Sequence, residues 1–197
     1  MLRLFRVTHS AHERPFRTGT FFFTSKLKRP GRFDLISYRA VMPPMGLTIL
    51  THRLCGMPGD TLEIKAGILY VNDQEADSPL SLQHVYKIQA KDSAGISYDP
   101  QQAYTIPPYT NTIYVVLEDQ RIAREQWPCQ RYVLPPGLRD DAIFSIYKNN
   151  WNRDHFGPVK VPPGRWFVLG DNRCNTADSR YLGFIDPATF LGSVLWR

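Results

Sequence analysis

Between Pro58 and Asp73 the chain spells a β-hairpin. A Pro-Gly-Asp cluster makes a turn, "TLEIK" alternates apolar and polar residues, Ala66-Gly67 turns the chain again, and "ILYVN" returns with Asp73 behind it. Period-two alternation on both sides of a two-residue turn commits this stretch to antiparallel β structure. Sixteen prolines and thirteen glycines punctuate the chain and point away from a helical bundle. Further strands are expected in "TGTFFFTSKL", "GRFDLISYRAV", "LTILTHRLCG", "RWFVLGDN" and "FLGSVLW". One short helix is expected, from Glu118 to Trp127, and "DAIFSIYKNNWNRDHFGPVKVPPG" reads as extended. From Asp77 to Pro158 the texture becomes polar and turn-rich. The expectation is a mostly β chain with its core in residues 1–76 and 159–197 and an inserted lobe in residues 77–158.

At 43% hydrophobic and 13% aromatic, the chain has the material for a packed core, which excludes wholesale disorder. The net charge of +6 is scattered. Its densest patch, Lys26, Lys28, Arg29 and Arg32, reads as a solvated loop, with contact to anionic headgroups as the sharper reading. No nucleic-acid motif accompanies it, so no nucleic acid is expected as a partner. Cys55, Cys129 and Cys174 are too far apart for a zinc pattern and allow at most one disulfide. No run of ~18 apolar residues is present, so no membrane span is expected within this chain. No signal peptide is evident either.

The segment "FVLGDNRCNTADSRYLGF", Phe167 to Phe184, raises a different question. It places Asp171, Arg173, Asp178 and Arg180 around Thr176 and Ser179, between two hydrophobic flanks. Groups of this kind must be paired if buried, and Asp and Arg a few residues apart can pair with each other to hold a loop rigid beside a site.

The same segment resembles the most C-terminal signature of bacterial signal peptidase I, matching it at Gly170, Asp171, Asn172, Arg173, Asn175, Asp178, Ser179, Arg180, Tyr181 and Gly183. "HRLCGMPGDTLEIKAGILYVN" resembles a second block of that family, and "TGTFFFTSKLKRPGRFDLISY" the strand pair before it. "NWNRDHFGPVKVPPG" is similar to the connector that returns from the family's insert. The resemblance covers about half of the chain, at both ends. It implies a curved, mostly antiparallel β core with an inserted β-rich cap, held at the membrane on the extracytoplasmic side. It also implies a Ser nucleophile and a Lys general base that cut signal peptides after a small-x-small pattern. A lysine serves as base only when desolvation keeps it neutral.

Carried over residue by residue, the resemblance meets two departures. "FRVTHSAHERPF" aligns without a gap on Phe5, Arg6, Glu13 and Gly19, and that register puts Ala11 on the nucleophile. Ser10 is the neighbouring alternative, but adjacent side chains of an extended segment point to opposite faces. His52 stands at the base position, and an imidazole is a competent base near neutral pH. Read without its block, His52 would be a half-buried strand histidine with one satisfied nitrogen. Thr176 falls on a hydroxyl that assists the base, Asp178 and Arg180 match directly, and Cys174 replaces an Asp. His9, His12 and His52 would converge on the same place, a set that could hold a zinc-like ion, although no metal or cofactor is expected.

Three functions remain open at this stage. The first is a signal peptidase I-like protein of the cell envelope. Either it has lost its nucleophile and still binds an extended signal-peptide-like polypeptide, or it cuts with Ser10 and His52. The second is a scaffold or peptide holder that ignores cleavage-site rules, and the third is a hydrolase that uses metal on the histidines. The register predicts that His52 and Thr176 lie in side-chain contact.

Overall fold

The computed structural model describes residues 2–6, 19–78, 80–98, 103–104 and 111–195. Among these the architecture is mostly β, in three antiparallel sheets. The first sheet has six strands: β1 (Leu2–Arg6), β2 (Phe21–Ser25), β3 (Leu35–Met42), β4 (Gly46–Gly56), β13 (Phe167–Leu169) and β14 (Phe190–Val194). They lie in the order β1-β2-β14-β3-β4-β13, so both ends of the chain meet in one sheet. The second sheet contains the hairpin legible in sequence, β5 (Thr61–Lys65) and β6 (Ile68–Val71), with β7 (Gln74–Glu75) on one side and β12 (Phe156–Lys160) on the other. Its turn holds Ala66 at φ 50° and Gly67 at φ 80°. Two successive left-handed residues match the twist of the flanking strands, which is why this turn type closes hairpins.

The third sheet draws all its strands from one segment: β8 (Gln83–Gln89), β9 (Ala103–Tyr104), β10 (Thr112–Glu118) and β11 (Cys129–Arg131). It carries its own apolar cluster, with Tyr86, Ile88, Val115 and Leu117 at its centre.

Strands β4 and β13 form a wall between two further clusters. On β13, Phe167 and Leu169 face the cluster of Leu62, Ile64, Leu69 and Phe156, whereas Val168 faces Ile36, Tyr38 and Leu54. Cys55 and Leu54 divide in the same way on β4. With both faces covered, these strands read as unbroken apolar runs instead of alternating ones.

The expected helix is present as α1 (Asp119–Glu125), ended by Gln126 in the left-handed region. The extended reading of "DAIFSIY" is corrected, because Asp141–Tyr147 forms a helix, α2. The Asp140 carboxylate accepts hydrogen bonds from the amides of Ala142 at 2.9 Å and Ile143 at 3.3 Å, satisfying donors that a first turn leaves open. Its buried Ile143 and its Tyr147, set edge-on to Phe156 at 4.9 Å, anchor the helix on the core. A last short helix, α3 (Ser179–Leu182), follows the polar segment. The three cysteines are free thiols, and no helix among the described residues is long and apolar enough to cross a membrane.

Candidate functional site

His52 lies on β4 and Tyr38 on the neighbouring β3, in a register that pairs Ile36 with His52 and Tyr38 with Leu50. Residues two apart on a strand share a face, so the Tyr38 ring leans along the sheet toward the imidazole. The two side chains are 0% and 2% exposed, and the Tyr38 hydroxyl lies 2.8 Å from His52 Nδ1. Burial, together with the charge of Asp178, pushes the Tyr38 phenol well above its ordinary range, so it keeps its proton.

The loop from β13 to α3 closes the site from the other side. Thr176 Oγ1 stands 3.1 Å from His52 Nε2, the contact that the register predicts. Thr176 reaches this position by lying directly over Gly170, where an added Cβ would overlap the hydroxyl and the rest of the side chain. Only glycine permits such an approach.

The density of polar residues in this loop now has a physical account. Asp178 and Arg180 pair with each other inside the segment, Arg180 Nε to Oδ1 at 2.9 Å and Nη2 to Oδ2 at 2.7 Å. The other charges reach across the molecule, contrary to the expectation of pairing within the segment. Asp171 accepts from Arg53 Nε at 2.7 Å, and Arg173 forks onto Asp77 at 2.7 and 2.5 Å. Each pair is nearly or fully buried, and each ties the loop to a different part of the first two sheets or their connections. Asp178 also accepts from the Gly170 amide at 3.1 Å and caps α3 through the Arg180 amide at 3.1 Å. Burial alone would push its carboxyl up, but Arg180, His52 and the Gly170 amide together hold it below the ordinary carboxylate range.

Beside His52 and Thr176 opens a cleft of about 600 Å³, walled by Met42, Met45 and Leu50 of the β3–β4 hairpin and by Tyr181. Cys174 also lines it, donating to Asn172 Oδ1 at 3.1 Å, and burial pushes its thiol up to about 11. A protonated thiol of this kind is a poor nucleophile.

The structure therefore brings His52, Thr176, Asp178 and Arg180 together. Ser10 and Ala11, with His9 and His12, lie outside the described residues. Tyr38 was not legible as a site residue. Its only sequence signal is a place in a strand, and its partner depends on a cross-strand register that a single sequence does not carry.

Residues 2–197 match the family of signal peptidases, peptidase S26. Signal peptidase I V of Bacillus subtilis (strain 168) is 24% identical over 172 residues, which are 87% of this chain and 68% of that protein. Signal peptidase I of Aquifex aeolicus (strain VF5) is 27% identical over 190 residues, 92% of this chain and 69% of that one. A probable signal peptidase I-2 of Synechocystis sp. (strain ATCC 27184 / PCC 6803 / Kazusa) is 50% identical over a stretch of 42 residues, 21% of this chain and 19% of that one. With a match running over nearly its whole length, the chain belongs to the signal peptidase family, peptidase S26, and is a signal peptidase I-like protein.

Proposed function

We propose that this protein binds an extended signal-peptide-like segment of an exported preprotein in the cleft beside His52 and does not cut it. The observation that carries the reading is the engagement of both ring nitrogens of His52, Nδ1 by Tyr38 at 2.8 Å and Nε2 by Thr176 at 3.1 Å. A general base must turn a free lone pair toward the nucleophile, with its other nitrogen held in the tautomer that permits this. A buried phenol at Nδ1 holds the ring the other way. The register that places Ala11 on the nucleophile supports the same conclusion, since a methyl group cannot attack a carbonyl.

We also propose that the protein works at the membrane surface, on the extracytoplasmic side. The exposed apolar side chains of Leu2, Leu4, Phe21 and Phe23 on β1 and β2 support such a contact.

The test is incubation of the purified protein with a preprotein carrying an Ala-x-Ala site. The expected result is saturable binding without cleavage. Cleavage that disappears in His52→Ala and in Ser10→Ala overturns the reading in favour of an active Ser10–His52 pair. Neither binding nor cleavage overturns it in favour of a scaffold with another ligand.

A further inference from the structure

We propose that Tyr38, His52 and Thr176 form a hydrogen-bond relay whose last member, the Thr176 hydroxyl, donates its proton to a main-chain carbonyl oxygen of the bound polypeptide. His52, at the position of the family's base, thus orients the hydroxyl that donates a hydrogen bond to the ligand. The inference rests on the binding role proposed above and names the polar group by which that ligand is held.

The direction of the relay follows from the buried phenol. Tyr38 is 0% exposed, and among the described residues its hydroxyl is paired with His52 Nδ1 at 2.8 Å. A buried hydroxyl proton without an acceptor carries a full desolvation cost, so the Tyr38 O–H points at Nδ1 and Nδ1 accepts. A neutral imidazole that accepts at Nδ1 carries its proton on Nε2. That N–H faces Thr176 Oγ1 at 3.1 Å, so the threonine hydroxyl is the acceptor of this bond. Protonating the ring reverses only the first link, because Nε2–H still donates to Thr176. Only the opposite neutral tautomer would make Thr176 the donor, and it would strand the phenol proton in the core.

Thr176 therefore keeps its own proton, and its side chain forms part of the cleft wall. Successive donors polarise one another, which strengthens the last one. An acceptor oxygen from the ligand completes the chain. A neutral carbonyl satisfies this donor without bringing a further charge beside the buried Asp178–Arg180 pair. Tyr38 is in this scheme a positioning residue, acting on the ligand through the ring.

Two measurements on the full chain decide the matter. Long-range proton–nitrogen NMR of the histidines, with His52→Gln to assign the signal, reads the tautomer directly. The expected pattern is Nε2–H in the wild type, with Tyr38→Phe shifting the ring toward exchange between tautomers. A wild-type ring protonated at Nδ1 alone overturns the relay whatever the peptide does. The second measurement is calorimetric titration with an extended Ala-x-Ala peptide blocked at its C-terminus. Thr176→Val, which keeps the shape and removes the hydroxyl, is expected to weaken binding by about five- to tenfold, and Thr176→Ser to retain it. Equal binding by wild type and Thr176→Val overturns the inference while leaving the binding role intact. Tighter binding of the same peptide with a free carboxylate end overturns the carbonyl assignment. A wild-type protein that binds neither peptide overturns the binding role and removes this inference with it.

Discussion

Asp178 is the residue on which the site's rigidity turns. It is fully buried, pairs with Arg180, receives the Gly170 amide and caps α3. Its carboxyl is held below the ordinary range in the fold. The stability this contributes is present above its unfolded value of about 4 and is lost as pH falls through the lower folded value. Asp178→Asn leaves the Arg180 charge buried without its counter-ion, and is expected to cost about 3–5 kcal/mol at pH 7. The gap from the wild type should narrow below about pH 4, where the unfolded wild-type chain binds a proton that the folded carboxylate takes up only at its lower value. Urea unfolding of both proteins at pH 7 and pH 3 checks this, and equal stability at pH 7 would refute it. At this scale the sequence was informative in an uneven way. The contact of His52 with Thr176 and the pairing of Asp178 with Arg180 were legible because each residue sits inside a dense motif. The partners of Asp171 and Arg173 were not, since Arg53 is 118 residues from Asp171 and Asp77 is 96 from Arg173. Pairing over such distances is a property of the folded chain and leaves no local trace.

Among the elements, the β5–β6 hairpin and helix α2 show opposite outcomes of the same kind of reading. The hairpin carries its pattern on both strands and in its turn, so local chemistry and packing agree, and it was legible throughout. Helix α2 is seven residues long, with one fully buried side chain and a sequence of mixed propensity. Its start signal, an Asp at the cap followed by acidic residue Asp141 in the first turn, was present but short beside the prolines and asparagines around it. The cap therefore has an outsized part in holding this helix. Asp140→Ala removes the acceptor of the Ala142 and Ile143 amides and is expected to cost about 1 kcal/mol. Asp140→Asn is expected to recover most of that loss in the same denaturant titration. An Ala variant as stable as the wild type would mean that packing of Tyr147 and Ile143 alone fixes the helix.

Over the whole molecule, the mostly β architecture was readable in advance from strand patterns and turns. The first sheet joins β1, β2 and β14 at one side. The third sheet takes its strands from Gln83 to Arg131, while β12, beginning at Phe156, pairs with β5 in the second sheet. The exposure of β1 and β2 was not readable, because "FFF" looks the same on a strand covered on both faces and on one covered on a single face. Here Phe22 packs inward, while Phe21 and Phe23 are 55% and 42% exposed. The pairing of Leu4 with Phe23 and Arg6 with Phe21 puts three apolar side chains and one arginine on a single face, and Leu2, 59% exposed, shares it. A face of this kind buries apolar area when it meets a bilayer, at roughly 25 cal/mol per Å² of side-chain surface removed from water. The nearby Lys26, Lys28 and Arg29 add attraction to anionic headgroups, screened by salt. The protein is therefore expected to sediment with vesicles containing anionic lipid, with binding weakened but not abolished by raised salt. Phe21→Ser combined with Phe23→Ser should lower that affinity by about tenfold or more without changing the unfolding midpoint by much, since neither ring is in the core. Sedimentation that is lost entirely in salt, or is unchanged in the double variant, would assign the interaction to the basic loop and leave the apolar face to another partner.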